Sequence, residues 1–157
     1  MFFFLNSQIH YGASASHRLI SGFFSKETDQ EKEEAFKSIK AFLGYVTFYN
    51  DWLFGIQGFF GGTYNQGYYG AKGLFGYEFE ENVQMYGSIG FERQTSEKES
   101  FNRGNLFIGG NVDIYLTRTF GLGFGVEGRP LFDHKDNNDI KKFGYLRFMF
   151  SVIFRHI

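Results

Sequence analysis

Apolar residues recur at every second position along most of this chain. Between residues 52 and 64, the even-numbered positions include Trp52, Phe54, Ile56 and Phe60. The odd-numbered positions include Gln57, two glycines and two apolar residues. Side chains two residues apart lie on the same face of a strand, so this alternation predicts a β-strand. Five further segments repeat it: 68–80, 83–94, 104–117, 119–130 and 142–156. In the regular runs within these segments, 52–64, 69–79, 83–92, 105–116, 120–129 and 145–155, every charged residue falls on the positions opposite the apolar face.

The pattern is weaker upstream, where it predicts two more strands. One covers 35–49, and the other is a long segment that we place at 4–25. Splitting the long segment would give nine strands and put the two termini on opposite sides. Because bacterial single-chain barrels have an even number of strands, the sequence predicts eight antiparallel strands in an all-β, up-and-down barrel.

The connections between these strands alternate in length. Those at 50–51, 81–82 and 117–119 are tight, whereas those at 26–34, 93–104 and 130–142 are long and charged. Short turns at one end and long loops at the other are typical of outer-membrane barrels. The strands, at roughly 11–14 residues, are also long enough to cross a bilayer at a tilt. These features favour a transmembrane barrel over its alternative, a lipocalin-like soluble barrel.

Aromatic residues gather near the predicted strand ends and on the apolar stripe of the last strand. Rings with a polar tip suit the two headgroup regions of a membrane. The predicted lipid-facing aromatics are Tyr45, Tyr49, Trp52, Phe54, Tyr64, Tyr69, Tyr77, Phe79, Phe148, Phe150 and Phe154.

The composition sharpens this picture. The chain has 157 residues, 22% of them aromatic, yet its hydrophobic share is only 43% and its mean hydropathy is -0.28. That length suits one domain, which we assign to 1–157. The aromatic content excludes a disordered chain, and the lack of cysteine excludes thiol chemistry. A net charge of -1 gives no reason to expect nucleic-acid binding.

The strand positions that carry the charged residues would face the barrel interior. An eight-stranded barrel is so narrow that its side chains fill it, and buried charges require partners. Arg18 and Lys40 belong to this inward set. We predict two ion-pair clusters: Lys72, Glu92, Glu127, Arg129 and Arg147 nearer the long loops, and Glu78, Asp113 and Arg155 nearer the turns. The alternative is a narrow gated pore that uses the same charges. Inward glycines at 121, 123 and 125 would leave room for water or for Phe59, Phe107 and Tyr115.

Candidate catalytic and metal-binding residues are few. His10, Ser14 and Ser16 share a face, but four residues along a strand separate His10 from Ser14 by roughly 13 Å, too far for a hydrogen bond. A lipid A acyl hydrolase is therefore the less favoured alternative to a non-enzyme. Residues 133–139 are rich in oxygen ligands yet lack the glycine and distal glutamate of a calcium loop. We expect no metal, no cofactor and no nucleic-acid partner.

The N-terminal segment does not read as an export signal. Residues 2–5 are apolar, but polar residues follow at once and no basic residue precedes them. We expect the signal peptide to be absent or removed. The alternative is that residues 1–15 are a truncated signal, because 13–15 resemble a cleavage site.

Eight alternating strands, three tight turns, four loops and the final Phe148-x-Phe150-x-Val152-x-Phe154 stripe resemble the small outer-membrane barrels typified by the OmpA transmembrane domain and OmpX. The likeness covers nearly the whole chain and is architectural. It implies a bacterial outer-membrane location, insertion by the barrel-assembly machinery, contact with lipid and lipopolysaccharide, and adhesion to a host or matrix ligand through the loops. The chain departs from the family at its end, where Ile157 replaces the usual terminal aromatic residue.

Overall fold

A computed structural model describes residues 6–20, 38–62, 66–80, 82–96, 103–128 and 146–156. They form a closed barrel of eight antiparallel strands in which each strand pairs with the next along the chain. The strands are β1 (Asn6–Ile20), β2 (Ser38–Tyr49), β3 (Trp52–Gly62), β4 (Gln66–Phe79), β5 (Val83–Ser96), β6 (Arg103–Tyr115), β7 (Phe120–Gly128) and β8 (Leu146–His156). In these ranges no helix is long and apolar enough to cross a membrane.

The first and last strands close the barrel. β1 pairs with β8 from Ile9 opposite His156 to Ser16 opposite Met149, and the register shifts between Arg18 and Ile20. Closure leaves no free sheet edge along this seam, so the backbone groups of both strands find partners without water. The prediction of eight antiparallel strands in an up-and-down barrel is confirmed.

The strand ends differ from the predicted ones by a few residues. β4 begins two residues early, at Gln66, and β5 continues to Ser96, so polar residues assigned to a loop belong to a strand. Conversely, 80, 116–117 and 119 belong to turns. Charged side chains do not end a strand whose neighbours still supply hydrogen-bond partners. Residues 4–5, 21–25, 35–37, 63–65, 129–130 and 142–145, which we assigned to strands, lie outside the described residues.

The tight turns have local causes. Asn50 and Asp51 connect β2 to β3 with φ angles of 47° and 66°. Two successive left-handed residues match the twist of a hairpin, and asparagine and aspartate tolerate that conformation best after glycine. Between β6 and β7, the Thr117 hydroxyl oxygen accepts hydrogen bonds from the backbone N–H groups of Thr119 at 3.3 Å and Phe120 at 3.0 Å.

The two faces of each strand meet opposite environments. On β3, Ile56 and Phe60 point outward and are 70% and 68% exposed, whereas Gln57 between them is 5% exposed inside the barrel. Lys72 on β4 is likewise buried in the interior. A soluble barrel has the reverse arrangement, with apolar residues inside, so the lipocalin-like alternative is wrong. The outer face is suited to lipid and the inner face is a polar lumen.

Glycines let the narrow lumen accommodate its larger side chains. A Cβ atom added at Gly123 would lie 2.6 Å from Asp113 Oδ1, and one added at Gly121 would lie 2.9 Å from Tyr115. The space at the β7 glycines is therefore taken up partly by Tyr115, as expected. The expectation for Phe59 and Phe107 is wrong: these rings pack over Gly70 and Gly90 on β4 and β5.

Candidate functional site

A buried glutamate lies at the centre of the loop-side half of the lumen. Glu127 on β7 is 1% exposed, and its Oε1 atom lies 3.0 Å from Lys40 Nζ and 3.7 Å from Lys72 Nζ. Its Oε2 atom lies 3.9 Å from an Arg147 nitrogen. One carboxylate thus faces three cations that come from β2, β4 and β8. Because the strands are far apart in sequence, only barrel closure brings these groups together.

A second carboxylate completes this loop-side cluster. Glu92 on β5 is buried, and its Oε2 atom lies 3.6 Å from Arg147. Aromatic rings surround the cations: Lys40 Nζ lies 4.9 Å from the Phe59 ring centroid, and the Arg147 guanidinium carbon lies 5.4 Å from that of Tyr68. Phe59 and Tyr68 also pack in one cluster with Phe107. The charges are therefore enclosed by bulky side chains, not by open solvent.

The turn-side half holds a separate ion pair. Arg155 on β8 donates to Glu78 Oε1 at 3.1 Å, and its Nε donates to the Arg118 carbonyl at 2.9 Å. Gln84 donates to the same Glu78 oxygen at 2.8 Å. The Arg155 guanidinium also lies 3.9 Å from the ring centroid of Tyr115. These contacts join the ends of three strands to the β6–β7 turn.

Two further polar groups fill the turn-side lumen. Asp113 accepts a hydrogen bond from the Tyr86 hydroxyl at 2.8 Å. His10 hydrogen-bonds to Gln8 at 3.0 Å and lies 3.5 Å from the Tyr115 hydroxyl through its other ring nitrogen. An apolar cluster of Val46, Phe48, Leu53 and Leu74 packs beside them, with Tyr86 at its edge. Asp113 is thus bound by a phenol, an interaction that the ion-pair prediction did not include.

Among the lumen side chains whose burial the structure describes, which do not include that of Arg18, the two signs of charge are equal in number. There are four of each: Lys40, Lys72, Arg147 and Arg155 against Glu78, Glu92, Asp113 and Glu127. An equal count suits a dry, narrow interior, because an uncompensated buried charge is strongly destabilising. The described ranges contain no cluster of three acidic or histidine side chains that could hold a metal ion.

The structure brings most of the predicted lumen residues into two groups, with two differences. Lys40, which we placed inward but in neither cluster, lies nearest Glu127. Strand alternation gives the side of the sheet, not the height within the barrel, so this position had no signal in the sequence. Arg129, by contrast, lies outside the described residues. His10, Ser14 and Ser16 are buried in the lumen, where the hydroxyls of Ser16 and Ser38 are hydrogen-bonded, so none of the three reaches a lipid substrate from the outer face.

The aromatic residues assigned to the lipid face lie on the outer surface. Those that are 37–52% exposed are Tyr45, Tyr49, Trp52, Phe54, Tyr69, Phe79, Phe148, Phe150 and Phe154. Tyr77 is half-buried because it packs edge-on against Trp52 and Phe79, and its hydroxyl donates to Asp51 at 3.4 Å. Tyr64 lies outside the described residues. Trp52 stacks on Phe75, so the rings form a continuous surface beside the first turn.

Solved structures share this architecture. The N-terminal β-barrel domain of Pseudomonas aeruginosa OprF matches with a TM-score of 0.63 and 10% identity over 97% of this chain and 99% of that one. Neisserial surface protein A matches with a TM-score of 0.54 and 12% identity over 95% of each chain. The Yersinia pestis protein Ail, in complex with the heparin analogue sucrose octasulfate, matches with a TM-score of 0.53 and 20% identity. The match covers 96% of this chain and 97% of Ail. The fold is that of the small outer-membrane β-barrels. No protein-family model and no curated protein matches the chain.

In an outer-membrane barrel, the single tryptophan is expected to report the turn-side interface. Trp52 is the first residue of β3, and its ring is 45% exposed on the outer face. In lipid vesicles, bromine atoms near the headgroup should therefore quench Trp52 fluorescence more than bromine atoms at the chain ends. As a control, Ile56→Trp in a Trp52→Phe background moves the ring about 13 Å along the strand, and the order of quenching should reverse. Equal quenching in both proteins would contradict this depth assignment.

The Tyr86 hydroxyl is expected to stabilise the barrel through Asp113. Tyr86→Phe removes the donor to a buried carboxylate, and loss of a hydrogen bond to a charged group destabilises a protein by about 1.5–3 kcal/mol. Unfolding in urea, followed by the mobility of unheated samples on gels, measures the difference. The matched control is Tyr45→Phe on the lipid face, where 52% of the residue is exposed and we expect no change. Equal midpoints for both variants would contradict a role for this hydrogen bond.

Proposed function

We propose that the protein is an integral β-barrel of a bacterial outer membrane, with a closed lumen, that acts through its surface loops. The observation that carries this proposal is the contact of Lys40, Lys72 and Arg147 with the single carboxylate of Glu127. A network of this kind fills the interior and needs no solute to neutralise it. The outer face, with its exposed aliphatic and aromatic side chains, fits the hydrocarbon of a membrane.

Both halves of the lumen contain bulky side chains as well as charges. Phe59, Tyr68 and Phe107 pack in the loop-side half, and Phe48 and Leu53 pack in the turn-side half. An ion entering from either end would have to displace packed rings or aliphatic groups and would have to separate ion pairs. This supports a structural role for the lumen charges over the alternative role, a narrow pore for ions or small solutes.

The loops are the proposed binding surface. The connections between β1 and β2, β5 and β6, and β7 and β8 contain most of the charged residues outside the strands, and all three lie at the same end of the barrel. Binding residues concentrate in loops carried on a rigid scaffold. Ail, which shares the fold, binds a heparin analogue. We therefore propose a host or matrix ligand at these loops, together with lipopolysaccharide contact and insertion by the barrel-assembly machinery.

A planar-bilayer recording tests the closed lumen. The folded, full-length protein should give no stable, salt-dependent conductance steps. A stable open level whose size follows the salt concentration would overturn the proposal in favour of the pore. Insertion is checked on the same sample, because a folded barrel migrates differently on a gel before and after heating.

A binding assay tests the role of the loops. Vesicles that carry the protein should bind immobilised matrix proteins or sulfated polysaccharide, and replacing residues 26–34 by a short turn should weaken that binding. We propose no enzymatic activity, since His10 and the neighbouring serines lie inside the lumen. Loss of acyl chains from lipid A on co-expression, seen by mass spectrometry, would contradict this.

A further inference from the structure

The outer face of the barrel carries a groove that the lumen ion pairs and the loops do not use. It has a volume of about 790 Å³ and crosses five neighbouring strands, from β2 through β1, β8 and β7 to β6. Outward aromatic and aliphatic side chains line it, with Phe124, Phe148 and Phe150 among them, and its floor includes Gly110. The lining also includes residues at the lumen-facing positions between them, namely Ser16, Ser38, Asn111, Gly125 and Met149. His17 is the only titratable side chain among the residues that line it.

The groove runs obliquely from the loop end of the barrel towards its middle. Ile39, at one end, is the second residue of β2 counted from the loop side, whereas Gly110, at the other end, is the eighth residue of β6. Between them, His17 pairs with Phe148, Phe148 with Val126, and Val126 with Gly110. This row of paired residues forms the long axis of the groove.

The dimensions of the groove fit one hydrocarbon chain of one leaflet. The row from His17 to Gly110 crosses three interstrand steps of about 4.8 Å, a length of about 14 Å, and the step from β1 to Ile39 on β2 extends the groove to about 19 Å. Strands in such barrels tilt by about 45°, so the row from His17 to Gly110 descends by about 10 Å into a hydrocarbon core about 30 Å thick. A chain that enters beside His17 would therefore reach Gly110 within the loop-side leaflet.

We propose that this groove binds one acyl chain of a lipid in the loop-side leaflet, with the lipid headgroup beside His17. The apolar walls match the chain, and the imidazole of His17, at the end nearer the loops, is the polar group that a headgroup oxygen would meet. Glycine at position 110 keeps the deep end open: no heavy atom lies within 4 Å of where its Cβ would stand. The inference rests on the proposed membrane location and adds a specific lipid site to it.

Photolabelling tests the site. The full-length protein is folded into phosphatidylcholine vesicles that contain phosphatidylglycerol with a diazirine in the middle of one acyl chain, and labelled residues are mapped by mass spectrometry. We expect labelling of β8 residues 148–150 to exceed labelling of Phe54 and Phe75 on the opposite face by roughly threefold, because a lined groove gives a chain more packing contacts than a convex surface. Uniform labelling around the barrel would overturn the proposal and leave the membrane location intact. No labelling of any outward residue would instead contradict the membrane location.

A matched pair of variants fills either the groove or a position outside it. Gly110→Leu places a side chain in the deep end of the groove. Gly58→Leu adds the same side chain on β3, which is also on the outer surface but outside the groove, and the nearest heavy atom to its Cβ would be 3.9 Å away. We expect the first variant to remove the excess labelling at 148–150 and the second to leave it unchanged. Equal labelling in both variants would count against the site. If wild-type labelling were lowest at 148–150, and Gly110→Leu converted a dimer into a monomer in sedimentation, the occupant would be a second copy of the chain and the proposal would be wrong.

Discussion

Glu127→Gln is expected to destabilise the folded barrel by about 3–5 kcal/mol, because it leaves buried cations without their counter-charge. Lys40 and Lys72 lie 3.0 Å and 3.7 Å from one oxygen of this carboxylate, and Arg147 lies 3.9 Å from the other. Glutamine keeps the shape of the side chain but not its charge. In the variant, Arg147 would keep its ion pair with Glu92, whereas Lys40 and Lys72 would lose the carboxylate that they contact among the described residues.

Urea unfolding of the purified protein in detergent or lipid measures this effect, with the fraction of folded protein read from gel mobility. Glu80→Gln is the control: it makes the same chemical change at an exposed turn residue, where we expect a difference within about 0.5 kcal/mol. A second variant separates charge from packing. Lys40→Met in the Glu127→Gln background removes one unpaired cation and should recover part of the lost stability. If both glutamine variants unfold at the same urea concentration as the wild type, Glu127 is not the centre of the network.

The alternation of apolar and polar residues was enough to predict the barrel because each strand separates two very different environments. On β3, a one-residue shift would place Gln57 in lipid and Phe60 in the lumen, so the hydrophobic pattern determines which face is outward. The tight turns were also readable, since Asn50 and Asp51 suit the left-handed conformations of a two-residue hairpin. The strand ends were less readable, because pairing at the loop side continues through the polar residues of β5 to Ser96.

The lumen could be predicted only in part. The period of two identifies inward charges such as Lys40 and Glu127, but the heights at which they meet depend on strand stagger and tilt, which no local sequence feature encodes. Asp113 shows the same limit: it was grouped with Glu78 by strand position, whereas its hydrogen-bond donor is Tyr86 on the neighbouring strand. The groove on the outer face was not foreseen either, because it results from the relative heights of side chains on five strands.

The glycines divide into two classes according to the face of the strand on which they lie. A Cβ at inward Gly76 on β4 would lie well within 3.0 Å of backbone atoms of Met85 and Tyr86, a distance that real Cβ atoms essentially never show. At outward Gly58 and Gly110, the same atom would meet nothing closer than 3.9 Å. Inward glycines are thus required by the tight curvature of the barrel, whereas these outward ones are not required by packing within the chain.

Gly76→Ala should therefore prevent folding or destabilise the barrel by about 3 kcal/mol or more, because backbone atoms cannot move away as a flexible side chain can. Gly58→Ala adds the same methyl group to the same kind of strand position on the lipid face. It should leave stability unchanged or raise it by about 0.5–1 kcal/mol, since alanine loses less conformational entropy than glycine on folding. Refolding yield into detergent micelles and the urea midpoint of whatever folds measure both variants. Equal yields and midpoints would show that β4 can move away from β5 at this point, and the close interstrand packing inferred for the lumen would then be wrong.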